Sequence, residues 1–186
     1  MANRASWKTV AIGSAVIGGI GAILLTSRKA AASSLPSSTV RRVALIGDSY
    51  AVGLGPELRK YFPEFKYEGV VGTNTAQWAS HSKACGTCGD WLTTFKPDVV
   101  LVSLGVNDGT APNARNYNDI VSALHGIGAR VVWIEPPAAV NTPAVRSTIA
   151  SLGVSTVSAP TLVMANALHP ASYNRWAQEI AQAVLQ

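Results

Sequence analysis

Charge is scarce in this chain: Asp, Glu, Lys and Arg make up 13% of 186 residues, while apolar side chains make up 48%. Such a composition excludes a disordered polar chain and supplies enough apolar surface for one domain of ordinary size plus an appendage. Cysteine is nearly absent, with two residues forming Cys85-Gly86-Thr87-Cys88. The pair alone cannot complete a tetrahedral zinc site, and beyond His81 no fourth ligand is evident. In an oxidising compartment Cys85 and Cys88 would most simply close a local disulfide, with free thiols and a metal site ranking behind it. The pattern around them offers no thioredoxin-like context for a redox pair. Histidine is limited to His81, His125 and His169. No internal repeat is present.

Acid is absent from the first 42 residues, which carry Arg4, Lys8, Arg28, Lys29, Arg41 and Arg42. The remainder holds 9 basic and 10 acidic residues, so the whole basic excess is N-terminal. The rest of the chain has no basic stripe of the kind that tracks phosphates, which sets nucleic acid aside as a partner. The basic residues bracket Val10–Leu25, sixteen residues in which only Ser14 is polar. A bilayer core asks for roughly 20 helical residues, so this run predicts a short transmembrane helix. A cleaved signal peptide is the rival, with Ala30-Ala31-Ala32 as the small-residue site. Arg28 and Lys29 between the run and that site favour an uncleaved, single-pass anchor over residues 1–27. Its Ser14, Ala15, Gly18, Gly19, Gly21 and Ala22 give small-xxx-small spacings that suit close helix packing. A strict count of flanking charges leans slightly to a cytoplasmic position for the domain C-terminal to the run, by a difference too small to set the orientation.

Residues 28–40 read as a Ser/Ala linker. From Arg41 onward, apolar runs alternate with helical patterns. Strands are predicted at Val43–Ile46, Phe65–Val71, Asp98–Leu104, Arg130–Ile134 and Val154–Val157. Helices are predicted at Tyr50–Phe62, Asn116–Gly126, Thr142–Leu152 and Ala171–Leu185. Doubly buried strands separated by helices imply a parallel sheet covered on both faces, hence an α/β domain over 41–186.

Gly47-Asp48-Ser49 comes directly after the first apolar run. In open α/β sheets ligands bind at the carboxyl ends of the strands, and a serine there is a nucleophile if a base reaches it. The alternative is a helix N-cap, a common use of serine between strand and helix. Three further features occupy the same rim. Gly105-Val106-Asn107-Asp108 comes after the strongest strand, where the Asn107 amide can donate to a developing oxyanion or form an Asx turn. Gly72 ends the second strand, where its N–H can face a ligand closely. His169 precedes the last helix and can serve as the base. His81 and His125 fall in or beside helical segments and read as surface or packing residues.

Taken in order, Gly47-Asp48-Ser49, Gly72, Gly105-Val106-Asn107-Asp108 and His169-Pro170 resemble the four blocks of the SGNH (GDSL-type) hydrolases, over residues 41–186. The resemblance implies a flavodoxin-like three-layer α/β/α sandwich whose five strands run 2-1-3-4-5. It implies Ser49 as nucleophile, His169 as base, and an oxyanion hole from the Ser49 and Gly72 N–H groups and the Asn107 side chain. No metal or organic cofactor is implied. The chain departs from the family at Asn166, where an aspartate usually precedes the histidine by three residues. An Asp→Asn change in a serine protease triad cost about 10⁴ in turnover. Three explanations are open: Asn166 Oδ1 or a backbone carbonyl orients the ring, another acid such as Asp108 substitutes, or the domain is a weak or inactive binder. The expectation is a membrane-anchored serine esterase on small acyl esters of a glycan or lipid, O-acetyl groups of envelope glycans foremost, facing the extracytoplasmic side. The alternative is a catalytically silent glycan-binding or structural membrane protein, such as part of a virion. The oligomeric state is left open.

Overall fold

The computed structural model describes residues 40, 42–80, 89–140 and 142–186. The predicted anchor, most of the linker, His81 and the Cys85/Cys88 pair lie outside the described residues. Among the described residues no helix is long and apolar enough to cross a membrane.

Five strands form one parallel sheet in the order β2-β1-β3-β4-β5. They are β1 (Arg42–Gly47), β2 (Glu64–Gly69), β3 (Val99–Ser103), β4 (Arg130–Ile134) and β5 (Ser155–Val157). The order is the one the family resemblance implies. β1 and β3 are central, and this explains their unbroken apolar runs. A strand covered on both faces cannot alternate apolar with polar. The alternation shows up instead as a division between two cores. Ala44, Ile46, Val100, Val102, Val131 and Trp133 face one layer of helices, while Val43, Leu45, Val99, Leu101, Val132 and Ile134 face the other. β2 lies at an edge, and its Glu64, Lys66 and Glu68 fit a strand paired on one side only.

The second layer is made by α1 (Ser49–Leu58) and α6 (Asn174–Leu185). α6 carries Trp176, Ala177, Ile180, Ala181 and Val184 on its buried stripe at helical spacing. The first layer holds α2 (Thr75–Ala79), α3 (Leu92–Phe95), α4 (Ala114–Gly126) and α5 (Pro143–Ala150). Trp133 spans this side, stacking on Tyr117 and donating its indole N–H to the Leu104 carbonyl at 3.1 Å.

Several boundaries differ from the sequence reading. α2 and α3 fall in a stretch without a predicted helix. α2 carries a reciprocal capping box: Asn74 accepts from the Gln77 N–H, and the Gln77 side chain accepts from the Asn74 N–H. Gly126 ends α4 but stays helical; the left-handed residue that turns the chain is Gly128, at φ +81°. α6 begins at Asn174 rather than Ala171, because Pro170 and Ala171 pair with Met164 and Val163 before the helix starts.

Candidate active site

The carboxyl end of β1 is packed so tightly that only glycine fits. A Cβ on Gly47 would lie 2.1 Å from the Ser103 carbonyl oxygen of β3. Asp48 continues the ladder, donating its N–H to Ser103 O at 3.0 Å. Its side chain then turns to α1, where Oδ1 accepts the Tyr50 N–H at 2.9 Å. Asp48 is therefore the helix cap. Ser49 is freed from that duty and becomes the first helical residue, whose N–H has no intrahelical acceptor.

Ser49 Oγ lies 2.9 Å from His169 Nε2. The two residues are 120 positions apart in sequence, so the contact is made entirely by the fold. The histidine loop is closed at its base by Ala171 N–H to Val163 O at 2.8 Å and by Ala165 N–H to His169 O at 2.8 Å. Asn166 stiffens it from within. Its Oδ1 accepts the N–H groups of Leu168 (2.9 Å) and His169 (2.8 Å). That oxygen holds the loop backbone, so the expectation that Asn166 Oδ1 orients the imidazole gives way to a role in the turn. Asp108 does not stand in for the missing acid either. Its two oxygens accept from Thr75 N–H at 2.9 Å and Thr75 Oγ1 at 2.6 Å.

A residue that the sequence reading passed over ties the two halves together. Tyr50, next to Ser49, is 2% exposed. Its hydroxyl donates to the Leu168 carbonyl at 2.7 Å. Its ring meets His169 edge-on, with centroids 5.7 Å apart, and meets Trp176 on another side at 5.4 Å. Helix α1 thus grips the histidine loop one residue before the imidazole. The only hint in sequence is an aromatic residue directly after Ser49. Burial, and after it the nearby Asp48 charge, raises the Tyr50 phenol well above its ordinary pKa, so it remains a hydrogen-bond donor.

The other two rim loops are stitched to each other. Gly72 is exposed at φ +78° in the turn closed by Thr73 N–H to Val70 O. Such a φ suits glycine. Asn107 Nδ2 donates to the Thr73 carbonyl at 2.8 Å. An amide nitrogen carries two hydrogens, so one N–H of Asn107 remains for another acceptor. Together with the Asp108–Thr75 pair, this bond fixes the Gly105–Asp108 turn against the Gly72–Thr75 loop. His125 is exposed in the last turn of α4 and takes no part.

Asp48 is fully buried, and its Oδ2 has no hydrogen-bond partner among the described residues. Burial pushes its carboxyl up to about 7; the Tyr50 N–H pulls the other way and the Asp108 charge adds to the rise. Ser49 is therefore preceded by a carboxyl that holds its proton through mildly acidic pH.

No protein-family model matches the chain, and no curated protein matches it by sequence. Solved structures do. A putative SGNH hydrolase from Slackia heliotrinireducens superposes with a TM-score of 0.61 at 15% identity, over 78% of this chain and 98% of that one. An acetyl xylan esterase gives 0.58 at 16% identity, over 77% and 99%. The C-terminal catalytic domain of Streptococcus pneumoniae peptidoglycan O-acetyltransferase A gives 0.52 at 19% identity, over 78% and 93%. The chain resembles the SGNH hydrolases, and at these identities the likeness is one of fold.

Proposed function

We propose that this protein is a serine ester hydrolase acting on small acyl esters. The observation that carries the reading is the 2.9 Å approach of Ser49 Oγ to His169 Nε2 at the carboxyl rim of a parallel sheet. With the ring proton on Nδ1, Nε2 accepts the Ser49 proton as Oγ bonds to the ester carbonyl carbon. The carbonyl oxygen becomes an oxyanion, held by the Ser49 and Gly72 N–H groups and the free N–H of Asn107. Collapse breaks the C–O bond to the alcohol, which leaves with the proton from His169. Water then attacks acyl-Ser49, giving its proton to His169; the acid departs and Ser49 recovers its hydrogen.

Acetyl is the acyl group that best fits the reading, since the solved structures sharing the fold include an acetyl xylan esterase and an O-acetyltransferase domain. Esters carried on envelope glycans are the proposed substrates, with the catalytic domain tethered by residues 10–25 and facing the extracytoplasmic side. That tether rests on the uncharged N-terminal run. A second reading, a catalytically silent glycan-binding or structural membrane protein, draws on Asn166, whose Oδ1 is committed to the backbone of its own loop. Hydrolysis of p-nitrophenyl acetate separates the two. The esterase reading expects turnover that Ser49→Ala removes. Turnover no higher than that of Ser49→Ala, even in an Asn166→Asp background, would favour the silent module.

A further inference from the structure

Beside Asn107, whose free N–H the proposed hydrolysis gives to the oxyanion, lies a cavity of about 190 Å³. Four carboxamides line it, from Asn74, Asn107, Asn113 and Asn116, together with Thr75 and Asp108. Most of their hydrogen-bonding capacity on one side is already committed. Asn74 Oδ1 accepts from Gln77 N–H, Asn113 Oδ1 accepts from Arg115 N–H, Asn107 Nδ2 donates to Thr73 O, and both Asp108 oxygens accept from Thr75. What remains is a set of groups with no hydrogen bond among the described residues: Nδ2 of Asn74, Nδ2 of Asn113, Oδ1 of Asn107 and the whole carboxamide of Asn116.

The remaining groups are neutral and include both donors and acceptors. Among the described residues no cationic side chain lines the cavity, so they offer nothing to pair with a phosphate, sulfate or carboxylate. Among the described residues its apolar lining is limited to the methyl groups of Thr75, Ala76 and Ala111, too little to hold an acyl chain. Hydroxyl groups, each a donor and an acceptor, match such a surface. The volume is below the roughly 300–1,000 Å³ of sites for drug-sized ligands, which leaves room for one ring rather than a chain. The cavity wall is also continuous with the nucleophile turn. Gly47 O accepts from Val70 N–H, Val70 O accepts from Thr73 N–H, and Thr73 O accepts from Asn107 Nδ2, at 2.9, 3.2 and 2.8 Å.

We infer that this cavity binds an uncharged sugar ring on the alcohol side of the ester, with Asn113 and Asn116 as specificity-determining residues. The inference rests on the esterase reading for its place in the reaction, while the sugar contact itself stands on the cavity.

The test uses the full chain and two substrates: p-nitrophenyl acetate, which has no sugar, and a mono-O-acetylated methyl glucoside. Asn113→Asp keeps the oxygen that caps α4 and removes the Nδ2 donors; Asn116→Ala removes a whole carboxamide. Each is expected to lower the ratio of kcat/KM for the sugar ester to that for p-nitrophenyl acetate by roughly two- to tenfold, the worth of one neutral hydrogen bond. In parallel, saturation-transfer NMR tracks methyl β-glucoside on the Ser49→Ala chain, where transfer is expected and Asn116→Ala is expected to weaken it. An unmoved ratio with unmoved saturation transfer overturns the sugar site. If that happens while Ser49-dependent turnover of p-nitrophenyl acetate persists, the esterase reading survives alone. If neither ester is hydrolysed yet the NMR contact is present and weakened by Asn116→Ala, the esterase reading fails and the sugar site stands.

Discussion

Replacing Asp48 with asparagine should make the stability of this protein less dependent on pH. Asp48 is fully buried, one oxygen accepts the Tyr50 N–H, and the other has no partner among the described residues. Its carboxyl titrates at about 7 in the folded chain against 3.8 for the unperturbed group. The folded pKa is raised, so between these values the native state holds a proton that the unfolded state has released. Stability therefore falls as pH rises through the window from 3.8 to about 7. One pKa unit corresponds to about 1.4 kcal/mol, so the full window is worth about 4 kcal/mol. That is a large share of the roughly 5–15 kcal/mol that stabilises a typical domain. Asparagine keeps an oxygen for the Tyr50 N–H and never ionises. Its NH₂ replaces an oxygen without a partner, a cost of about 1–3 kcal/mol that is nearly constant with pH. Urea unfolding of both proteins at pH 4.5, 6 and 8 gives the assay. The free-energy difference, variant minus parent, should grow by about 3–4 kcal/mol from the lowest pH to the highest. A difference that stays flat, or that shrinks as pH rises, would refute a buried, proton-holding Asp48.

Other perturbations read different parts of the site. Tyr50→Phe removes the hydroxyl that grips Leu168 O; kcat for p-nitrophenyl acetate should drop by about tenfold with little change in KM, corresponding to about 1.4 kcal/mol of lost positioning. A rise in KM at constant kcat would instead place Tyr50 in substrate binding. Gly47→Ala drives a methyl into the Ser103 carbonyl, a backbone atom at the sheet centre that cannot swing aside; thermal unfolding should show a loss at or above the upper end of the ~1–3 kcal/mol typical of overpacking. Asn166→Asp retains an oxygen for the Leu168 and His169 N–H groups and adds a negative charge to the histidine loop; stopped-flow acylation by p-nitrophenyl acetate should be faster than in the parent.

The sheet was legible because its central strands are buried on both faces. Val43–Ile46 and Val99–Val102 could hardly be anything but inner parallel strands, and the family resemblance supplied their order. The short helices α2 and α3 were not, because four or five residues give no periodicity to detect. Only the Asn74/Gln77 capping pair marks α2 in advance. At the site, the sequence nominated Ser49 and His169 as candidates, and the fold places them in hydrogen-bond contact. The sequence reading weighed Ser49 as the cap of α1, but aspartate serves equally well at such a position, and the 2.9 Å bond from Tyr50 N–H assigns the cap to Asp48. It could not say where Asn166 spends its oxygen, because an Asx turn and an imidazole contact ask for the same residue. Tyr50 was invisible for a similar reason: its partner is a backbone carbonyl 118 residues away, and backbone acceptors leave no trace in sequence.

The central claim is that Ser49 is a nucleophile activated by His169. Its most direct test is covalent trapping with methanesulfonyl fluoride, read out by intact and peptide mass spectrometry. One sulfonyl group per chain is predicted, on the peptide containing Ser49, absent in Ser49→Ala and formed far more slowly in His169→Ala. A chain that stays unlabelled, or carries the adduct at another residue, would contradict the account.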